Sequence, residues 1–221
     1  MRSWLRRRLR SEVIDRFHNT YYRHPDSWPK NEFLGYPIQQ CPLDLHLYQE
    51  ILVRHEPRFV LQTGVAAGGS LLYFASILDL MGADPDVVVV GVDVILGDKV
   101  RSLSHPRIHL VKGSSADADT FERVKELLPA GGGLVSLDSD HSQAHVAAEL
   151  KIYPELVAVG SYLVVEDTNI NGHPVAPGWG PGPFEAVEAF LSEDDRFVRD
   201  DELWRRNLFS HHQYGWLKRV R

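Results

Sequence analysis

Three carboxylates and a histidine stand out over a short stretch of this 221-residue chain. Asp138 closes the run Leu-Val-Ser-Leu-Asp, His141 follows three residues later, and Glu166 with Asp167 closes Ser-Tyr-Leu-Val-Val-Glu-Asp. Each acidic group ends a short apolar run, and a helical pattern separates the two, which reads as a strand–helix–strand unit. Parallel strands joined by a crossover helix finish on the same edge of a sheet, about 4.8 Å apart when adjacent. Asp138, Glu166 and Asp167 would then converge on one rim. Crowded carboxylates repel unless protonated or neutralised, and Mg²⁺, a hard cation that takes oxygen ligands, is the expected neutraliser. A local reading stands beside it: acids after strands often cap the next helix, and Ser139 or Asp140 could do so here. His141 titrates near neutral pH and is the candidate general base, against the plainer reading of an ordinary helix-start histidine.

A second set of residues suggests a ligand with a ribose. The first strand runs into Gln62-Thr-Gly64-Val-Ala66-Ala-Gly68-Gly69-Ser70 and then a helix. Glycines at such a turn let backbone approach a ligand, and the helix start offers free N–H groups. The spacing departs from the G-x-G-x-x-G dinucleotide fingerprint. Asp93 ends the next strand about 30 residues after Gly64, a position from which an acid can meet ribose hydroxyls. Ser114 and Ser115 follow the third strand, where a loop could contact a base. Gln62, Gly64, Gly68, Gly69, Ser70, Asp93, Ser114 and Ser115, with Asp138, are the candidate cofactor residues.

The elements that must position these groups alternate. Strands are expected at 58–63, 87–92, 108–112, 134–137 and 161–165, with helices at 69–80, 98–103, 119–128, 143–156 and 183–191. This pattern predicts an α/β fold, a doubly wound and mostly parallel sheet of Rossmann-like form. Late strands near Phe197 and over 207–219 predict an antiparallel C-terminal edge, with His211 and His212 facing opposite sides of the last one and no metal site there. Upstream, 4–22 reads as a helix with one apolar stripe. Residues 23–42, broken by three Pro-containing turns, read as an ordered strap without regular structure. Residues 1–42 are therefore expected to be an extension to a domain spanning 43–221. Helical periodicity resumes at 43–55.

Taken together, Tyr36-Pro-Ile-Gln-Gln-Cys-Pro-Leu-Asp-Leu45, Gly68-Gly-Ser70, Leu137-Asp-Ser-Asp-His141, Val164-Val-Glu-Asp-Thr168 and Gly215-Trp-Leu-Lys-Arg219 resemble one family. It is the family labelled cephalosporin hydroxylase, which also contains rhamnosyl O-methyltransferases, and the likeness covers roughly residues 17–219. The glycine turn is similar to the acid-x-G-x-G-x-G motif of class I S-adenosylmethionine methyltransferases, with Gln62 in place of the acid and Ala66 in place of the middle glycine. The resemblance implies a class I methyltransferase using S-adenosylmethionine and Mg²⁺, with Asp138, Glu166 and Asp167 on the metal. The interval from Asp138 to Glu166 also resembles the metal spacing of catechol O-methyltransferases, whose catalytic lysine position is matched here by His141. Ser-His-His-Gln stands where the family has an Asn-Pro-Gly-like turn.

Composition sets the remaining bounds. The net charge is −6, but residues 1–10 carry five arginines and no acid. Such an arm could touch nucleic acid or anionic lipid, yet no aromatic-interleaved basic surface follows, so neither partner is expected. No run reaches the roughly 18 apolar residues of a membrane span, and a single cysteine, Cys41, fits a reducing cytoplasm. A homo-oligomer is expected from the length of the N-terminal arm. The expected activity is O-methylation of a small acceptor, a sugar or diol on a natural product. The alternatives are an oxidoreductase or hydroxylase, which lacks a fingerprint here, and a non-catalytic S-adenosylmethionine-binding scaffold, suggested by Gln62.

Overall fold

The computed structural model describes residues 2–221, with side chains from Ser11 onward. Helix α1 (Arg2–Arg23) leads into the strap, and α2 (Pro42–His55) follows it. Then β3 (Phe59–Thr63), α3 (Gly69–Leu80), β4 (Val88–Asp93), α4 (Asp98–Arg101) and β5 (Ile108–Lys112) alternate. The second half adds α5 (Ala118–Leu127), β6 (Leu134–Leu137), α6 (Gln143–Ile152), β7 (Tyr162–Val165) and α7 (Pro183–Glu193). It closes with β8 (Phe197–Arg199), α8 (Asp201–Arg205) and β9 (Trp216–Arg219). The strap itself holds a 3₁₀ turn, Trp28–Lys30, and a small hairpin of β1 (Glu32–Phe33) and β2 (Tyr36–Pro37).

Seven strands form one sheet in the order β5-β4-β3-β6-β7-β9-β8. The first five are parallel, and β9 runs antiparallel to both β7 and β8. β3, β6 and β7 are buried along their whole length, as expected of apolar strands covered on both faces. One apolar cluster joins Tyr48, Ile51, Phe74 and Trp216 on the α2/α3 side. The other joins Phe121, Val146, Leu150 and Val187 on the α5/α6/α7 side. The strand order reverses between the parallel neighbours β3 and β6, which puts the ligand crevice of an open parallel sheet at their C-terminal ends.

Three expectations are corrected. The strap has regular structure after all, because Leu34 and Gly35 take positive φ and turn a two-residue hairpin. The helix from Gln143 ends at Ile152, where Pro154 imposes a 3₁₀ turn over Tyr153–Leu156. The last strand is only Trp216–Arg219: a helix, α8, capped by the Asp200 carboxylate, precedes it, and 211–215 is a turn. Of the α1 stripe, Trp4, Leu5 and Leu9 lie outside the described side chains, while Val13 and Phe17 are exposed. Among the described residues no helix is long and apolar enough to cross a membrane.

Candidate active site

Backbone bonds hold the strand tips level. Gly64 N donates to Val92 O (2.8 Å), Gly113 N to Asp93 O (2.9 Å), Asp138 N to Thr63 O (3.0 Å) and Glu166 N to Leu137 O (2.9 Å). Gly64 marks one very close approach. A Cβ there would sit 1.9 Å from Asp138 O, and its φ is +73°, so the turn after β3 and the end of β6 touch only because the residue is glycine.

The candidate cofactor residues divide into three groups. Asp93 lines a cleft of about 480 Å³ together with Gly64, Ser114 and Ser115. Its carboxylate also braces the glycine turn, accepting from Val65 N (2.9 Å), Ala66 N (3.3 Å) and Ile95 N (2.9 Å). Gln62, Gly69 and Ser70 instead border a hollow of about 40 Å³ between the strap and Asp138. Gln62 Nε2 donates to Gly64 O (3.0 Å) and reaches Asp138 Oδ2 (3.4 Å), leaving its buried Oε1 without a partner. Gly68 lines neither space: it is the N-cap of α3, at φ +86°, packed under Val100. A further opening of about 260 Å³ is shared by Trp28, Gln39, Gly64, Asp93, Asp138 and His141, so the ribose-type acid and the acid–histidine rim face one connected space.

At that rim, ligand-type atoms of Asp138, His141 and Asp167 lie within 4.8 Å of one another. His141 Nδ1 is 3.2 Å from Asp167 Oδ2, and Nε2 is 3.4 Å from Asp138 Oδ1, buried and without a hydrogen-bond partner. Glu166 differs from the expected trio by pointing inward. Its carboxylate accepts from Tyr48 OH (2.7 Å) and from Ser136 Oγ and Gln40 Nε2, with His212 Nε2 at 3.3 Å. Gln40 Nε2 also donates to Asp138 Oδ2 (3.2 Å), so one amide bridges both acids. Neither Ser139 nor Asp140 caps α6. Ser142 does, accepting from His145 N, while Asp140 accepts from Ser142 N (2.8 Å) and Ser139 Oγ donates to Glu149 (2.7 Å).

The electrostatics favour a cation. Among the described residues no lysine or arginine pairs with Asp138, Glu166 or Asp167; their ionic neighbours are His141 and His212. Burial, reinforced by the Glu166 charge, pushes the Asp138 carboxyl well above the usual carboxylate range. Burial disfavours the charged form of His141, but Asp167 and Asp138 outweigh it and lift its pKa to about 9. A negative, oxygen-rich, partly orphaned rim is a donor set that suits a hard divalent ion.

Gln40 and His212 are the site residues that sequence spacing did not reveal. Gln40 comes from the strap, and His212 sits not in a strand but in a buried turn that aims its ring at Glu166.

The strand order, with its reversal at β3/β6 and its antiparallel β9, defines a class I methyltransferase fold. Solved structures share it: a CmcI structure with Mg and SAM matches at TM-score 0.67 and 24% identity, covering 91% of this chain and 84% of that one. The apo structure of CalS11, a TDP-rhamnose 3'-O-methyltransferase, matches at TM-score 0.52 and 18% identity, over 85% and 88%. The chain belongs to the Rhamnosyl O-methyltransferase/CmcI family, whose pattern matches residues 26–220. It is 38% identical over 207 residues to a rhamnosyl O-methyltransferase of Mycobacterium tuberculosis (strain ATCC 25618 / H37Rv), covering 92% of this chain and 81% of the relative. A rhamnosyl O-methyltransferase of Mycobacterium leprae (strain TN) is 37% identical over 184 residues, covering 82% and 79%. The chain is thus an S-adenosylmethionine-dependent O-methyltransferase.

Proposed function

We propose that the protein methylates a hydroxyl of a sugar carried by a small natural product, with Mg²⁺ held at the rim by Asp138 and Asp167 and joined by Glu166 from its buried position behind them. The observation that carries this is the His141 ring, set between Asp138 and Asp167 with its buried Nε2 unpartnered, on the wall of the space that Asp93 and Gly64 also line. The sugar class follows the rhamnosyl O-methyltransferases to which the chain is similar. A vicinal diol suits the rim, since two adjacent oxygens would meet a cluster of acids rather than one.

S-Adenosylmethionine supplies the methyl group, and a divalent ion at the rim would supply charge that acidifies a neighbouring hydroxyl. The chain's own residues do the rest. Asp93 and the serines after β5 are suited to holding the ribose and base, and the Gly64 turn lets the donor lie against the end of β3. His141 Nδ1 lies 3.2 Å from Asp167 Oδ2, so a proton held on Nδ1 would face that carboxylate and the base's lone pair would fall on Nε2. Nε2 would accept the hydroxyl proton when the methyl group passes to the acceptor oxygen, the donor's carbon–sulfur bond breaking to release a neutral thioether, and Asp167 would stabilise the resulting imidazolium. Trp28 and Gln39 border the same opening and help to keep water from the reacting atoms.

The test is transfer of labelled methyl from S-adenosylmethionine to a rhamnoside, compared with the same glycoside lacking one hydroxyl of the diol. Transfer to the first and not the second is expected. Binding of S-adenosylmethionine without transfer to any sugar or diol acceptor would instead favour a scaffold.

A further inference from the structure

Behind the acid rim lies a chain of hydrogen bonds whose direction can be read from one end. Asp167 holds a left-handed backbone, φ 51°, and its N–H donates to His212 Nδ1 (3.0 Å). A backbone N–H can only donate, so Nδ1 carries the lone pair and the proton of the neutral ring is on Nε2. Nε2 lies 3.2 Å from the Gln40 side-chain oxygen, so it donates there and fixes the amide's orientation. The Gln40 NH₂ is thereby turned toward Asp138 Oδ2 and Glu166 Oε2, two acceptors it can satisfy at once. The opposite amide orientation would set an oxygen against two carboxylates and leave two donors facing His212. Both ends of the relay select the same arrangement.

The relay is rigidly supported. His212 and Asp44 are almost wholly buried, at 1% and 0% exposure, too deep for water to substitute for a lost contact. Asp44 Oδ2 accepts from His211 N (2.8 Å) and lies 3.8 Å from His212 Nε2, while Ser210 Oγ accepts from His212 N (2.9 Å). Tyr48 packs beside the ring and donates to the other Glu166 oxygen.

We propose that His212 is a positioning residue for the acid rim: through Asp167 N–H on one side and the Gln40 amide on the other, it sets where Asp138, Glu166 and Asp167 present their free lone pairs. This rests on the reading that those acids hold Mg²⁺. His212 touches neither acceptor nor donor; it acts through Gln40 and through the strained backbone of Asp167. Outer partners of this kind typically change metal affinity by about 10–100-fold when lost.

The experiment is calorimetric titration of Mg²⁺ into the S-adenosylmethionine-loaded protein. His212→Asn retains an acceptor for Asp167 N–H but lacks the reach to Gln40; Gln40→Met removes the bridge from the strap side. Each is expected to weaken Mg²⁺ binding by about 10–100-fold while leaving metal-free S-adenosylmethionine affinity within about threefold. The double variant is expected to lie within about threefold of Gln40→Met alone, because residues acting through one relay are not additive. A merely structural role for His212 would give additive losses. Mg²⁺ affinity unchanged in His212→Asn, or additivity in the double variant, overturns the proposal while leaving the metal reading in place. No Mg²⁺ binding by the unaltered protein overturns both.

Discussion

His141 has to be neutral to accept a proton, yet the acids around it raise its pKa to about 9. Neutral imidazole therefore grows as pH rises, and so should the rate in weakly metal-loaded protein. A cation on the same acids cancels the charge that raises the pKa, so saturating Mg²⁺ should move the ascending limb of the pH–rate profile to lower pH. An ascending limb indifferent to Mg²⁺ would separate His141 from the acids. His141→Ala should lower kcat by about 10²–10⁴-fold, the range for a lost general base, measured at saturating donor and acceptor. A drop below about threefold would make it a bystander. Residues at this scale were legible where strand ends announced them: Asp93, Asp138 and the Glu166–Asp167 pair all close apolar runs. What the pattern did not reveal was that Glu166 turns inward, or that Gln40 meets His212 across 172 residues of sequence, since only tertiary packing joins the strap to the turn before β9.

Elements carry two further expectations. At the β3–β6 junction, Gly64→Ala would press a methyl onto the Asp138 carbonyl and strain a positive φ. It should destabilise the protein by about 1–3 kcal/mol and weaken S-adenosylmethionine binding, read by thermal unfolding and calorimetry. Unaltered values would contradict the tight contact assigned to that turn. The attachment of α1 depends on His18, buried against Phe209, stacked on His211 and bonded to Asn169 (2.9 Å). Burial lowers the His18 pKa from 6.5 to about 4, and His211 is lowered as well, by burial and then by the neighbouring histidines. The unfolded chain binds more protons between those values, so stability is full above pH 6.5 and falls as pH drops toward 4. His18 alone contributes on the order of 3 kcal/mol to that loss. His18→Phe should flatten the acid slope of Tm, whatever it does to Tm at pH 7; an unchanged slope would show that His18 is not the group responsible. Elements with unbroken periodicity, such as α3 (Gly69–Leu80) and β5 (Ile108–Lys112), were predicted to the residue. Short ones were not, because β1, β2 and α8 are made by turns and by docking on α2 and α3 rather than by any repeat in their own residues.

For the molecule as a whole, one sheet edge gathers groups from six segments: the strap, the β3 and β4 ends, the rim after β6 and β7, and the turn before β9. The doubly wound architecture was readable from the alternation of strands and helices, since parallel strands on one edge follow from right-handed crossovers. The closing of the strap over that edge was not, because no periodic signal says where an irregular segment docks. The central claim is that the acids on this edge hold a divalent ion beside the methyl donor. It is tested most directly by methyl transfer to a rhamnoside after chelation, with Mg²⁺ then titrated back into the unaltered protein and into Asp138→Asn. Transfer that disappears on chelation, returns with Mg²⁺ in the unaltered protein and stays absent in a folded Asp138→Asn is the predicted result. Full transfer in the chelated enzyme, or Mg²⁺-restored transfer in Asp138→Asn equal to that of the unaltered protein, would contradict it.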